Sequence, residues 1–255
     1  MDISAAVAVI SGGASGLGNA VARRVVAAGG SAVMVDVNRD LGEQAASELG
    51  DRAHFVAADV TSESDIDQLF ATAVERFGGV NLVVSCAGVI GSGLTLGRKG
   101  PMALEKFARV ININLVGTFN MARAGINVMQ HNEPDSSGER GVVVNTASVA
   151  AFEGQIGQAA YSASKGGVVG LTLPLAREFS RYGVRVMAIA PGLFMTPMLE
   201  SLPDEAKQAL AASVPFPKRL GNPDEYAELV ASIYGNSMLN GEVIRLDGAI
   251  RMEPQ

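Results

Sequence analysis

The sequence predicts one α/β domain over residues 1–255, with helices on both faces of a doubly wound parallel sheet of about seven strands. Three observations support this fold class. Short apolar runs rich in valine and isoleucine alternate with longer segments of helical periodicity along the whole chain. The apolar runs are continuous, as in strands that are buried on both faces. No linker or compositional break interrupts the alternation, so one sheet is expected.

Each element follows from local signals, taken in chain order. The first apolar run ends in glycines, which predicts a buried strand, and the helical spacing after it stops at Gly29 and Gly30. Ser62 precedes a helix with acidic residues in its first turn, as an N-cap does. The predicted strands are 5–11, 31–36, 53–59, 80–88, 140–148, 184–192 and 241–248. The predicted helices are 16–30, 39–49, 62–78, about 103–130, 157–182, 196–212 and 223–235, with surface loops at 89–101 and 131–139.

Composition argues against several functions. The formal net charge is −6, which disfavours a nucleic-acid surface. No apolar run reaches the roughly 18–20 residues of a membrane span, so no membrane association is expected. His54 and His131 lack the spacing of metal ligands, so no metal is expected. One cysteine excludes an internal disulfide framework. The N-terminal segment shows no targeting pattern, so we expect a cytoplasmic protein, or a mitochondrial matrix protein if a presequence has been removed.

The first strand runs into the glycine-rich stretch SGGASGLG, residues 11–18. Glycines in this place let the chain turn tightly and let backbone N–H groups approach a pyrophosphate at the start of the next helix. The glycine order differs from the common G-x-G-x-x-G pattern, so a simple helix-starting turn is the alternative. Because the stretch follows the first strand, it predicts a dinucleotide site of the Rossmann type.

Asp36 ends the second strand, where a carboxylate can accept hydrogen bonds from the adenosine ribose of NAD. The same carboxylate would repel the 2′-phosphate of NADP. Two like charges about 4 Å apart repel by about 4 kcal/mol at an effective dielectric constant of 20. Arg39 is close enough in sequence to soften this repulsion, and a solvated turn aspartate is the alternative. NAD is therefore the favoured cofactor.

Tyr161 and Lys165 are two large polar residues within a run of small ones at 159–170. Residues four apart share one face of a helix. An ammonium near a phenol lowers the pKa of the phenol, which suits Tyr161 for proton exchange with an alcohol or a ketone. Such a pair also arises by chance in many helices. Here Ser148 ends a predicted strand and Asn114 lies on the preceding helix, so all four are expected at one edge of the sheet.

Together these motifs resemble the short-chain dehydrogenase/reductase family over the whole chain. The family's T-G-x-x-x-G-x-G motif appears as Ser11–Gly18, its D-V as Asp59-Val60, and its N-N-A-G as Ser85–Gly88. Its N-x-x-G appears as Asn114–Gly117. Its S…Y-x-x-x-K appears as Ser148, Tyr161 and Lys165, and its P-G-x-x-x-T as Pro191, Gly192 and Thr196. A narrower resemblance, to the 3-hydroxyacyl-CoA and hydroxysteroid dehydrogenases of the family, rests on long strings such as RGVVVNTASVAAFEGQIGQAAYSASKGG and LNGEVIRLDGAIRM.

The resemblance implies NAD-dependent oxidation of L-3-hydroxyacyl-CoA to 3-oxoacyl-CoA, with 2-methyl-branched acyl-CoA and hydroxysteroids as further substrates. It also implies a homotetramer and a substrate-loop segment at about 193–217. The implied catalytic residues are Ser148, Tyr161, Lys165 and Asn114, the last positioning a water for proton relay. The implied cofactor-binding residues are Gly12, Ser15, Gly16, Leu17, Gly18, Asp36, Asp59, Val60, Cys86, Ala87, Gly88, Tyr161, Lys165, Pro191, Gly192, Phe194 and Thr196. The implied substrate contacts are Ser148, Gln155 and Tyr161.

Two other functions stay open at the level of sequence. One is a dehydrogenase of another secondary alcohol, because the stretch VIGSGLTLGRKGPM at 89–102 does not match the family clearly and shapes the substrate mouth. The other is a non-catalytic dinucleotide-binding module, which would tolerate loss of Ser148, Tyr161 or Lys165. NADH absorbance with a panel of alcohols separates these possibilities.

Overall fold

The computed structural model describes residues 1–200 and 203–254. Within these ranges a seven-stranded parallel sheet has the strand order β3-β2-β1-β4-β7-β8-β9. These strands are Val7–Ser11 (β1), Ser31–Asp36 (β2), Ala53–Ala57 (β3), Leu82–Ser85 (β4), Gly141–Thr146 (β7), Val184–Pro191 (β8) and Val243–Leu246 (β9). A separate hairpin pairs Leu96–Gly97 (β5) with Gly100–Pro101 (β6). The predicted doubly wound α/β fold is confirmed.

The helices are Gly16–Ala27 (α1), Arg39–Leu49 (α2), Glu63–Phe77 (α3), Leu104–Ile111 (α4), Gly117–Met129 (α5), Ala159–Phe179 (α6), Pro197–Glu200 (α7), Asp204–Ser213 (α8) and Pro223–Gly235 (α9). Local chemistry sets several of their ends. The Ser62 side chain accepts a hydrogen bond from the Asp65 N–H and caps α3, which stops at Gly78 in the left-handed conformation. Asn222 and Glu225 form a capping box at the start of α9.

Three segments differ from the prediction. The helix expected over 103–130 contains a π-helical turn, Asn112–Val116, between α4 and α5. The wider turn accommodates the Asn114 side chain, which bonds both backbone groups of Val89. The expected loop at 89–101 includes the β5–β6 hairpin. The helix expected over 196–212 consists of α7 and α8, and its residues 201 and 202 lie outside the described ranges.

Apolar side chains fill both faces of the sheet. On one face the core is built against α1 and α9, where Tyr226 and Tyr234 are fully buried. On the other face α3, α5 and α6 contribute Phe70, Met121 and Phe179. Strands β7 and β8 are buried along their whole length. Because the sheet strands are parallel, their carboxyl ends meet at one edge, and this edge carries the predicted site. Among the described helices, none has the length and apolar character needed to cross a lipid bilayer.

Candidate active site

A cleft of about 940 Å³ runs along the carboxyl ends of β1, β2 and β4. This size is within the range of small-molecule and cofactor sites, roughly 300–1,000 Å³. The cleft brings together most of the residues predicted for the cofactor. Those that line it are Gly12, Ser15, Gly16, Leu17, Gly18, Asp36, Asp59, Val60, Cys86, Ala87, Gly88 and Thr196.

Close backbone packing explains the glycines of the first turn. A Cβ on Gly18 would lie 2.3 Å from the Gly12 carbonyl oxygen, and one on Gly12 would lie 2.8 Å from the Ala87 nitrogen. Gly12 and Gly16 also adopt φ values of 66° and 54°, which other residues rarely adopt. The N-cap residue Ser15 makes no side-chain capping bond. The first N–H groups of α1 are therefore available to an anion.

Asp36 lies where β2 ends, with its carboxylate beside the cleft. One carboxylate oxygen accepts a hydrogen bond of 3.1 Å from the Asn38 N–H. Arg39, which the sequence placed close by, forms an ion pair of 3.2 Å with Glu43 on the surface of α2. The Arg39 guanidinium therefore contacts Glu43, and no contact with Asp36 is seen among the described residues.

Asp59 and Val60 form the next part of the cleft wall, after β3. The Asp59 carboxylate accepts hydrogen bonds of 2.8 Å from both the N–H and the hydroxyl of Thr61. The Val60 carbonyl accepts a bond of 3.0 Å from the Asn120 amide on α5. A Cβ on Gly117 would lie 2.6 Å from Val60, so the start of α5 packs directly against this wall. These contacts hold the wall rigidly beside the Asp36 end of the cleft.

Tyr161 and Lys165 lie on α6 beside the inner end of the cleft. The Lys165 Nζ is buried, donates a hydrogen bond of 2.7 Å to the Thr146 carbonyl, and lies 5.8 Å from the centre of the Tyr161 ring. A Cβ on the cleft residue Gly88 would lie 3.7 Å from this Nζ and 3.2 Å from the Asn114 Oδ1. The helix face that the sequence predicted to carry both groups therefore borders the cofactor cleft.

Ser148 and Asn114 are both buried next to this helix. The Ser148 Oγ accepts a hydrogen bond of 3.1 Å from the Ala150 N–H. This bond fixes the position of the hydroxyl, two residues after β7 ends. The Asn114 amide donates to the Val89 carbonyl and to the Ser164 Oγ, and its oxygen accepts from the Val89 N–H. Both amide hydrogens of Asn114 are engaged, so this side chain braces the loop after β4 against α6. The water-positioning role that the resemblance implies for Asn114 stays a prediction.

Burial shifts the pKa values of both Tyr161 and Lys165. Burial raises the pKa of Tyr161 above its ordinary value of 10, although hydrogen bonding with Ser148 opposes this. Burial also lowers the pKa of Lys165 to about 8. In the protein by itself burial sets the net direction of the Tyr161 pKa, and the lowering by Lys165 stays a prediction. Removing both groups from water penalises their charged forms more than their mutual attraction favours them.

Cys86 belongs to a buried polar cluster that the sequence analysis missed. The Thr146 hydroxyl lies 2.8 Å from the Tyr226 hydroxyl and 3.5 Å from the Cys86 sulfur, which is itself 3.8 Å from the Tyr226 hydroxyl. Burial raises the pKa of the Cys86 thiol. The thiol is therefore a neutral packing group. Tyr226 reaches the site from α9, 140 residues from Cys86, so no local pattern could indicate this contact.

Other lining residues were also missed. They are Val35, Val37, Ala58, Thr61, Val89, Glu105, Ala108, Arg109, Asn112, Ile113 and Pro197. Val37 and Thr61 closely follow the predicted strand-end aspartates Asp36 and Asp59, so their position in the sequence could have indicated that they line the cleft. The residues from α4 and the π-helical turn reach the cleft only because these elements fold back across the sheet edge.

Ser148, Asn114, Tyr161 and Lys165 are not among the residues that line the cleft, and neither are Pro191, Gly192, Phe194 and Gln155. Pro191 ends β8, and Gly192 packs so closely on Asp247 that a Cβ would lie 2.9 Å from it. The Phe194 ring is buried against Gly221, and a Cβ on this glycine would lie 2.8 Å from the ring. The Gln155 amide donates a hydrogen bond of 3.0 Å to the Glu253 carbonyl. The Phe194 ring therefore belongs to the core, and Gln155 is anchored to the C-terminal segment.

Replacing Lys165 with Met should stabilise the protein at pH 7 by about 1–3 kcal/mol. A pKa lowered from 10.5 to about 8 means that burial disfavours the charged form by roughly 3 kcal/mol at 1.36 kcal/mol per pH unit. Methionine carries no such cost. Between pH 8 and pH 10.5 the unfolded chain still binds the proton while the folded chain releases it. Wild-type stability therefore rises with pH in this window, and the advantage of the variant should shrink.

Urea unfolding at pH 7 and at pH 9.5–10 measures this difference. Lys106→Met, on the exposed surface of α4, is the matched control and should change stability by no more than about 0.5 kcal/mol. A Lys165→Met variant less stable than wild type at pH 7, or a gain that does not shrink with pH, would contradict the burial argument.

A doubly wound sheet carries a glycine-rich turn, a strand-end carboxylate and a Ser-Tyr-Lys group at one edge, as in an oxidoreductase that binds a dinucleotide. A family model described as short chain dehydrogenase matches residues 6–207. The chain belongs to the short-chain dehydrogenase family, and it is an oxidoreductase that interconverts a secondary alcohol and a ketone.

Individual relatives narrow the comparison. The 3-hydroxyacyl-CoA dehydrogenase type-2 of Bos taurus is 58% identical over 97% of this chain and 96% of its own. The protein of the same name from Homo sapiens is 57% identical over the same shares. The crystal structure of 3-hydroxyacyl-CoA dehydrogenase type-2 from Mycobacterium avium superimposes with a TM-score of 0.95 at 44% identity, covering 99% of this chain and 98% of that one. The family resemblance predicted from the motifs is confirmed.

Proposed function

We propose that this enzyme oxidises L-3-hydroxyacyl-CoA to 3-oxoacyl-CoA with NAD, and catalyses the reverse reduction. The observation that carries the chemistry is the Lys165 ammonium, held between the Thr146 carbonyl and the Tyr161 ring at the inner end of the cleft. The observation that favours the substrate is similarity along the whole chain to proteins named 3-hydroxyacyl-CoA dehydrogenase type-2.

The cleft fits a dinucleotide. The glycine-rich turn leaves open space at Gly16, because a Cβ on this residue would lie 3.6 Å from its nearest neighbours, Thr196 and Pro197. The N–H groups at the start of α1 would hold the pyrophosphate, and Asp36 would accept the hydroxyl groups of the adenosine ribose. At the other end Tyr161 and Lys165 would hold the nicotinamide ribose. NAD, when bound, supplies the hydride acceptor for the oxidation.

Ser148 and Tyr161 handle the substrate oxygen in this proposal. In oxidation the hydroxyl proton passes to the Tyr161 oxygen as the carbon loses hydride, and in reduction Tyr161 returns a proton to the forming alcohol. The Ser148 hydroxyl donates a hydrogen bond to the same oxygen and stabilises the charge that develops there. Because burial raises the Tyr161 pKa, the phenolate depends on the neighbouring positive charge of Lys165 and of the oxidised nicotinamide.

The β5–β6 hairpin supports a CoA ester as the substrate. Its turn consists of Arg98 and Lys99, both exposed, and cations in such a place suit phosphate groups. Leu94 and Leu96 on the same segment are also exposed and suit an acyl or pantetheine chain. The Gly93 N–H donates a hydrogen bond of 2.8 Å to the Gly157 carbonyl, which ties this segment to the loop after Ser148. The hairpin therefore lies beside the expected substrate mouth.

A substrate panel followed by NADH absorbance tests the proposal. We expect turnover of 3-hydroxybutyryl-CoA and its 2-methyl analogue, weaker turnover of a hydroxysteroid, and a much higher KM for free 3-hydroxybutyrate, which lacks the phosphates. Turnover of a simple secondary alcohol without any of the acyl-CoA esters would overturn the acyl-CoA proposal and leave the family activity standing. Equal KM values for the ester and the free acid would overturn the role of the hairpin.

We further propose that the enzyme is a homotetramer. Val116, Phe119 and Leu173 expose apolar side chains on the segment from the π-helical turn to α5 and on α6, which suits them to contact between copies. Light scattering after size exclusion should give four times the mass of one chain, and a monomer at micromolar concentration would contradict this. The cytoplasmic location inferred from sequence stays a prediction.

A further inference from the structure

The loop that joins Ser148 to Tyr161 carries part of the substrate side of the site. It contains a short 3₁₀ turn, Val149–Ala151, and then irregular backbone up to α6. Val149 and Ala150 in the 3₁₀ turn are buried, whereas Phe152 and Ile156, which follow it, are exposed. The position of the loop after the 3₁₀ turn therefore depends mainly on polar contacts with other parts of the chain.

Glu153 supplies the strongest of these contacts. Its two carboxylate oxygens accept hydrogen bonds of 2.7 and 3.0 Å from the Arg245 guanidinium at the end of the sheet, in β9. The Arg251 Nε lies 3.3 Å from one oxygen, and the Met252 N–H donates to the other at 3.2 Å. Hydrogen bonding to Arg245 holds the pKa of Glu153 below its ordinary value. A two-pronged pair of this kind fixes orientation as well as distance.

Arg245 joins the loop to the C-terminal segment, residues 249–254. Its guanidinium also donates to Asp247 at 2.7 Å and to the Ile250 carbonyl at 3.0 Å. The guanidinium carbon lies 5.4 Å from the centre of the Phe152 ring, in a cation–π contact. One charged group thus connects the last strand, the loop and the C-terminal segment.

The C-terminal segment then runs along the loop and bonds it directly. The Ile156 N–H donates a hydrogen bond of 2.8 Å to the Pro254 carbonyl. The Gln155 amide donates to the Glu253 carbonyl at 3.0 Å. The segment begins at Ala249, whose φ of 66° is unusual for a residue with a side chain, and the Asp247 carboxylate accepts its N–H at 2.9 Å. Such a conformation persists only where surrounding contacts enforce it.

We propose that residues 249–254, locked by the Arg245–Glu153 ion pair, are a positioning element for the loop between Ser148 and Tyr161. The segment holds Gln155 and the neighbouring backbone in place to receive the substrate, and it leaves the cofactor cleft untouched. Arg245 and Glu153 are thus positioning residues that act through the loop. The substrate part of this inference rests on the proposed function, whereas the locking of the loop does not.

Glu153→Gln tests the inference with a nearly isosteric change. We expect the KM for acetoacetyl-CoA to rise about tenfold, because a misplaced binding group costs affinity for the group it positions. The kcat and the Kd of NADH should stay within about twofold to threefold. Arg245→Lys keeps one charged contact with Glu153 and should raise KM less than Glu153→Gln does. A chain ending at Arg251 removes the carbonyl partners of Gln155 and Ile156, keeps the ion pair, and should raise KM in the same direction.

The matched control is Glu228→Gln, which removes an ion pair of 2.7 Å to Arg24 between α1 and α9, away from the loop. It should leave KM unchanged. Hydrogen exchange of the Ile156 amide is a readout that needs no turnover, and it should accelerate in Glu153→Gln and in the shortened chain but not in Glu228→Gln. The inference would be overturned if KM and the exchange rate of the Ile156 amide were unchanged in both Glu153→Gln and the shortened chain. If wild type does not turn over acetoacetyl-CoA, the proposed substrate fails, and the exchange result still decides whether the segment locks the loop.

Discussion

Replacing Tyr161 with Phe should lower turnover by about 10³-fold or more, with the Kd of NADH changed by no more than about threefold. The substitution removes only the hydroxyl that exchanges a proton with the substrate. The ring and its contact with Lys165, whose Nζ lies 5.8 Å from the ring centre, remain in place. Stopped-flow absorbance measures the loss of turnover, and NADH fluorescence measures binding.

Tyr182→Phe is the matched control for this variant. Tyr182 lies in the 3₁₀ turn after α6, where Arg181 stacks on its ring at 4.7 Å, far along the helix from Tyr161. Turnover by this control should equal that of wild type. A Tyr161→Phe enzyme that retains more than about a tenth of wild-type turnover would show that another group transfers the proton.

Replacing Asp36 with Ala should raise the ratio of kcat/KM for NADP to that for NAD by about 10²-fold. The carboxylate beside the cleft would repel a 2′-phosphate by about 4 kcal/mol if the charges were about 4 Å apart at an effective dielectric constant of 20. Asp36 is partly exposed, so solvent screens some of this repulsion. The expected change in the ratio is therefore smaller than an unscreened repulsion of about 4 kcal/mol would give. The preference is measured with both cofactors and one substrate.

Two variants serve as controls for Asp36→Ala. Asp40→Ala removes an exposed negative charge from the first turn of α2 and should change the ratio little. Arg39→Ala should also change it little, because the Arg39 guanidinium pairs with Glu43. An unchanged ratio in Asp36→Ala would mean that this carboxylate does not select the cofactor, and a large effect of Arg39→Ala would mean that the arginine does.

The parts of the fold that the sequence predicted are those with local causes. The α3 helix begins after Ser62 and ends at Gly78 because capping and glycine chemistry lie within the segment itself. The buried strands were visible because continuous apolar runs have no other common explanation in a chain of alternating elements. The cofactor cleft followed from the same regularity, since parallel strands bring their carboxyl ends to one edge.

The parts that the sequence did not predict depend on contacts between distant segments. The π-helical turn at 112–116 accommodates a side chain that bonds a loop 25 residues away. Tyr226 meets Cys86 and Thr146 only after α9 packs on the sheet. The sequence placed Lys165 beside Tyr161 correctly, but the pKa of each depends on how deeply the folded chain buries it. Spacing along a helix carries no information about burial.

Reduction of acetoacetyl-CoA by NADH, followed by chiral analysis of the product, tests both the substrate and the stereochemistry of the proposed reaction. We expect rapid oxidation of NADH, with L-3-hydroxybutyryl-CoA as the product, and loss of both signals in Tyr161→Phe. No NADH oxidation by the wild-type enzyme with this substrate, or formation of the D isomer, would contradict the proposed function.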